Sequence, residues 1–304
     1  MKRLCYKCRQ PLKETVAWEG VHPDCFCSWF DLTRPEEFQD VVAQTDRAAS
    51  NKWTAITSSF FHGKFRKYSA RLGNKSYLLK VQQSELPELP AMEYLCNLIA
   101  KDFGLKVPHF YFIRFQNQLD TFVSENFMQN YSKSNLVHIY RFLDKPEQFT
   151  CEGLYQIISR EVKHLDDLQR FITLSLFDAL IGNHDRHGRN LGLIQTGKTS
   201  LLAPFYDNPS YLAIEDPLLL GAFHEPRGAI ATKATSEPTL RDYVKEWFRM
   251  GHKEEVVAFK AKVDIHAIHR LIEESFISEK RKRAFSRLIE RRYQELCREL
   301  ENAP

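Results

Sequence analysis

Apolar positions fall into two regimes along the chain. Residues 64–72 and 77–81 are short strand-like runs, and the Gly73-Asn74-Lys75 between them predicts a β-hairpin. Residues 89–103 then carry Leu89, Met92, Leu95, Ile99 and Phe103 at helical spacing, with Gly104 placed to end the helix. Strand-like segments follow at 110–115 and 121–124. Beyond about residue 129 the period is helical, with helices predicted at 165–181, 241–250, 253–263, 264–276 and 279–301. The pattern describes an α+β fold, a small β-rich half followed by a larger, mainly helical one, with no fixed-period repeat.

The first thirty residues are rich in Cys, His and Trp, and a polar stretch at 31–51 reads as a connector. The expected division is therefore 1–51 as a Cys/His-rich segment and connector, 52–128 as the smaller lobe and 129–304 as the helical lobe. With 43% hydrophobic and 27% charged residues, disordered and low-complexity classes are excluded. The net charge of +4 is too small to name nucleic acid or membrane as principal partner. The most apolar run, 171–182, contains Asp178 and is too short to span a bilayer. The N-terminus lacks a signal-like apolar segment, so the cytoplasm of the cell that makes the protein is the expected location. Seven cysteines, four of them among the first thirty residues, suit a reducing compartment better than a disulfide framework.

Two phosphate-binding readings compete. Gly192 to Thr199 spells a P-loop, with Gly192, Gly197, Lys198 and Thr199 at the required spacing. That mechanism needs a helix after the loop, whereas Leu193 and Ile194 suit a strand and Pro204 follows closely, so a β-hairpin is expected instead. Its open ends would bring together Asn190 and Asp207, oxygen donors suited to Mg²⁺. Asp185 stands five positions before Asn190, the catalytic-loop spacing of protein kinases. Lys80 at a strand end and Glu93 on the following helix complete the order expected for a kinase-like site.

Read together, Ala91-Met92-Glu93-Tyr94 with Gly104 to Pro108, Leu180 to Asn190, and Ala203 to Ser210 resemble the HipA family of bacterial serine/threonine kinases, and most closely its short HipT branch. The resemblance implies a bilobal kinase fold and transfer of the ATP γ-phosphate to a protein hydroxyl, within a toxin–antitoxin system. It implies Asp185 as catalytic base, Mg²⁺ on Asn190 and Asp207, and ATP phosphates on Lys80 with Glu93 as its partner. Glu125, Asn126 and Phe127 would form the adenine hinge, and His187 would contribute to the ATP site. The phosphate loop maps to residues 57–64, where Thr57, Ser58 and Ser59 become candidate autophosphorylation sites and Ser58 and Ser59 candidate phosphate ligands. Phe60 and His62 depart from the Gly and Gln usual in that loop. Implied partners are a protein substrate such as an aminoacyl-tRNA synthetase, a small HipS-like protein and a DNA-binding HipB-like antitoxin, without direct contact to nucleic acid or membrane. A phosphoinositide-type lipid kinase and an ATP-binding pseudokinase are the alternatives.

Outside that constellation, Cys5-x-x-Cys8 and His22-x-x-Cys25 have the spacing of a structural Zn²⁺ set, with Cys27 as an alternative ligand; the competing reading makes these thiols small core residues. The basic run after Glu279 is expected to be the solvated face of an amphipathic helix. His266 and His269 are expected on helix surfaces.

Overall fold

The structure, a computed structural model, describes residues 4–44, 66–197 and 199–302. A five-stranded antiparallel sheet is ordered β1-β2-β3-β5-β4, from β1 (Gln39–Ala43), β2 (Arg66–Leu72), β3 (Lys75–Val81), β4 (Phe110–Phe115) and β5 (Leu119–Glu125). The hairpin forms at Gly73-Asn74, where Leu72 pairs with Lys75 and Gly73 takes φ 56°, a left-handed value that Gly adopts without strain. Strand alternation then sorts β3. Tyr77, Leu79 and Val81 face a core shared with the N-terminal module, while Lys80 points to the opposite face, beside its cross-strand neighbour Phe122.

Helix α1 (Pro23–Phe30) lies on the first face through Phe26 and Phe30, which pack with Phe38, Tyr77 and Tyr111. The polar 31–51 stretch does more than connect: Gln39–Ala43 is the edge strand, exposed along its length, so no hydrophobic alternation marks it. Helix α2 (Leu89–Asp102) covers the other face, and its expected stripe of Leu89, Met92, Leu95 and Ile99 is buried.

The helical half contains α3 (Cys151–Glu161), α4 (Leu165–Ile181), α5 (Leu240–Arg249), α6 (Lys253–Lys262), α7 (Ile265–Glu273) and α8 (Glu279–Glu301). Its core is continuous with α2 and Phe112 of the sheet, so one apolar body underlies the cleft. Helix α4 runs through its centre and ends at Gly182, with φ 71°. A small sheet, β6 (Asn135–His138), β7 (Gly192–Thr196) and β8 (Thr199–Leu202), flanks it.

The basic face of α8 is not wholly solvated. Arg281 and Arg292 are buried, donating to the carbonyls of Leu212 and Glu215 and to that of Pro226; Arg287 donates to Leu220. These guanidiniums satisfy loop carbonyls that have no strand or helix partner, so the basic residues hold the 212–226 loop. His266 is exposed and His269 lies 3.1 Å from Glu290, both on the helix surface.

Candidate active site

The hairpin reading of Gly192 to Thr199 holds. Strands β7 and β8 pair antiparallel, with Thr196 opposite Thr199, and no helix follows to present amides to a phosphate. Lys198 lies outside the described residues.

What precedes the hairpin is built around a buried arginine. Gly182 ends α4 in the left-handed region and turns the chain into the 183–190 loop. There Arg186, 1% exposed, donates to both oxygens of Asp178 on α4 at 2.7 and 3.0 Å. The same guanidinium donates to the carbonyls of Asn190 (3.0 Å) and Tyr206 (2.7 Å) and to Asn208 Oδ1 (2.5 Å). One side chain thus fixes the backbone on both sides of the hairpin, next to Asp185 on one strand end and Asp207 on the other. A planar fork with five donors can do this; a lysine cannot. Asn183 holds the loop from inside, donating to Asp178 (2.9 Å) and accepting from the Asp185 amide (3.0 Å). Asn190 Nδ2 donates to the Asp185 carbonyl at 2.9 Å, which ties the two motif positions together.

Across the cleft, Lys80 is 2% exposed and donates to Glu93 Oε1 at 2.5 Å and to Asp207 Oδ1. Its ammonium therefore joins the sheet, α2 and the segment after β8. Burial alone would lower the Lys80 pKa; Asp207 and Glu93 outweigh it and raise it, keeping the amine charged. Burial would likewise raise Asp207, but Lys80 and then Lys67, 3.8 Å away, hold its carboxyl below the usual carboxylate range. Burial pushes Glu93 upward against the attraction of Lys80, with Asp207 adding to the rise. Asp207 also takes φ 55° without being glycine, a conformation the surrounding hydrogen bonds must enforce. Asn208 donates to Asn97 Oδ1 (3.0 Å), and Asn97 donates to the Glu93 carbonyl (2.8 Å), so a polar chain links α2 to the Asp207 segment.

The structure thus brings together Lys80, Glu93 and Asp207, and separately Asp185 and Asn190, with Arg186 spanning their backbones. His187 is buried beside Asp185, with Nε2 3.9 Å from Asp185 Oδ2 and Nδ1 accepting from the Arg189 amide. Burial lowers its pKa to about 4, so its imidazole is neutral near pH 7. At the end of β5, the Glu125 amide donates to His109 and the Asn126 amide to Ser76; Phe127 stacks on Tyr206 at 5.8 Å. Thr57, Ser58 and Ser59 lie outside the described residues. Lys67, Asp178, Asn183, Arg186 and Asn208 had no assigned role in the sequence. Arg186 and Asn183 sit inside the quoted motif, while nothing local marks Lys67 or Asp178.

At the far side of the sheet, Cys5, Cys8, His22 and Cys25 offer ligand atoms all within 4.8 Å of one another; Cys27 is not among them.

A β-rich lobe and a helical lobe facing each other across this constellation define a bilobal kinase-like fold. Residues 45–291 match the HipA-like C-terminal domain, and the chain belongs to that family. It is similar to the Helicobacter pylori proinflammatory kinase CtkA, at 18% identity and a TM-score of 0.64 over 78% of this chain and 95% of that one. It is also similar to HipA of Shewanella oneidensis MR-1, seen in a toxin–antitoxin complex with HipB and operator DNA, at 14% identity and a TM-score of 0.52 over 79% of this chain and 64% of that one. No curated protein sequence matches it.

Proposed function

We propose that the protein is an ATP- and Mg²⁺-dependent serine/threonine protein kinase of the HipT type. The observation that carries this reading is the buried Lys80 ammonium shared between Glu93 and Asp207, opposite an Asp185–Asn190 loop clamped by Arg186. The residues fit the metal and nucleotide: Asp207 is held ionised and already directed at a cation, and Asn190 presents a side-chain oxygen acceptor. Asn190 and Asp207 would hold Mg²⁺, Lys80 the ATP phosphates, and Glu125 to Phe127 the adenine. When bound, the ion offsets negative charge on the transferring phosphoryl group.

The chain's own residues then position and move a proton. Asp185 accepts the proton of the substrate hydroxyl as its oxygen bonds to the γ-phosphorus and the bond to the ADP oxygen breaks. Arg186 keeps both strand ends in register. In this reading the lobes are residues 52–128 and 129–304, with 1–51 as an accessory module whose strand Gln39–Ala43 joins the sheet of the smaller lobe. Thr57, Ser58 and Ser59 are its autophosphorylation candidates, where added negative charge beside ATP would oppose nucleotide binding. An aminoacyl-tRNA synthetase as substrate and HipS-like and HipB-like proteins as antitoxins complete it; the HipB bound to the Shewanella HipA supports such a partner. The test is incubation with γ-labelled ATP, Mg²⁺ and a bacterial lysate. Label on a protein supports the reading, label only in lipid points to the lipid kinase, and no label, including on itself, to the pseudokinase.

A further inference from the structure

The N-terminal cysteines are unused by the phosphotransfer site and lie on the opposite face of the sheet. Three local devices converge there. Cys5 and Cys8 bracket a tight turn in which the Arg9 amide donates to the Cys5 carbonyl and the Cys5 amide to Gln10, with Arg9 at φ 63°. A short hairpin, with Trp18 and Val21 exchanging both backbone hydrogen bonds, delivers His22. Cys25 sits in the first turn of α1, which His22 precedes.

Side-chain geometry narrows what this can be. His22 Nδ1 lies 3.3 Å from Cys8 Sγ and 4.0 Å from Cys25 Sγ. In a tetrahedral site with Zn–S near 2.3 Å and Zn–N near 2.0 Å, neighbouring ligand atoms stand about 3.5–3.8 Å apart. His22 Nε2 lies 3.2 Å from the Pro11 carbonyl, to which it can only donate, and that fixes the tautomer with the Nδ1 lone pair turned toward the sulfurs. A histidine braced on a carbonyl and aimed among three thiols is a ligand arrangement; a purely apolar role for these cysteines gives the imidazole no reason to point inward.

We propose that Cys5, Cys8, His22 and Cys25 bind one structural Zn²⁺, and that the ion maintains a strut joining the two lobes. Binding replaces three thiol protons by metal–sulfur bonds and releases them to solvent. The strut is the turn itself. Tyr6, between the two cysteines, packs at 4.6 Å on Phe276 of the helical lobe and 5.0 Å on Phe112 of the sheet, and donates to Asp120 at 2.7 Å. Arg9 stacks 3.8 Å over Phe276 and donates to the Glu274 carbonyl at 2.5 Å. Four protein ligands leave no open position, so the ion shapes this turn and performs no chemistry. The proposal does not depend on the phosphotransfer reading.

The full chain, purified reduced and without chelator, is expected to carry about one zinc per molecule. Cobalt substitution should give the thiolate charge-transfer and intense red-region bands of tetrahedral sulfur coordination. Cys8→Ser, at an exposed position, should weaken metal binding by more than the roughly 10–100-fold typical of losing a group that only hydrogen-bonds to a ligand, while Cys27→Ser leaves it unchanged. Should the variant not fold, thiol-reagent titration of the native protein gives the same answer, with three thiols protected until a chelator is added. Removing zinc should increase hydrogen exchange in residues 4–25 and also around Glu274 and Phe276. Zinc well below one per chain after reconstitution, or unchanged metal in Cys8→Ser, overturns the site; exchange that rises only in residues 4–25 overturns the strut.

Discussion

Two buried carboxyls carry opposite signatures, and their pH behaviour separates function from strain. Asp207 is depressed below its ordinary value by Lys80 and Lys67 against the cost of burial, so its contribution to stability is present above the unfolded value of about 4 and is lost as pH falls through the lower folded value. Asp207→Asn should therefore lower the melting temperature at pH 7, with the gap to the native protein narrowing as pH falls below about 4. Glu19 is the reverse. Burial raises it to about 7, so the unfolded chain ionises first and the folded state loses stability as pH rises from about 4.5 to 7. Glu19→Gln should raise the melting temperature by a few degrees at pH 8 and change little at pH 4, as followed by calorimetry. The sequence identified Lys80, Glu93, Asp185, Asn190 and Asp207 by order and spacing. It could not show that Lys80 meets Asp207 across 127 positions, nor that Arg186 is the hub, because both depend on which loops the tertiary fold brings together.

Among the elements, those with a strong apolar period were legible: α4 and α8 have their expected bounds, and α2 ends one residue early. Two elements were not. Strand β1 is exposed throughout and offers no alternation, whereas α3 buries Cys151, Leu154, Ile157 and Ile158 but opens with Gly153 in its first turn, held by the Thr150 cap and not by propensity. The turn out of α4 has a sharper demand. Gly182 combines φ 71° with Leu288 and Pro226 side-chain atoms 3.0 Å from where a Cβ would stand, while Gly104, at φ 72°, has nothing within 4 Å. Gly104→Ala should cost only the left-handed conformational penalty, about 1 kcal/mol. Gly182→Ala should add an overpacking cost of about 1–3 kcal/mol and displace the 183–190 loop. Urea midpoints for the pair check the ranking; equal losses would show that the site loop does not rest on this close approach.

At the scale of the whole molecule, the near-balance of charge fits a protein whose decisive charges are few and internal, since Lys80, Glu93, Asp185, Arg186 and Asp207 are all buried or nearly so. No described helix is long and apolar enough to cross a membrane. The sheet is used on both faces: Lys80 and α2 on one, the Cys/His module on the other, and Phe112 and Phe276 connect the module to the helical lobe. The central claim is that this architecture transfers phosphate through Asp185. The direct measurement is incorporation of label from γ-labelled ATP by the native protein and by Asp185→Ala and Lys198→Ala variants, each verified folded by circular dichroism. The account predicts labelling by the native and Lys198→Ala proteins and a loss of at least about 10²-fold for Asp185→Ala. Full labelling by a folded Asp185→Ala protein, with Lys198→Ala inactive, would contradict it and return the chemistry to the Gly192–Thr199 segment.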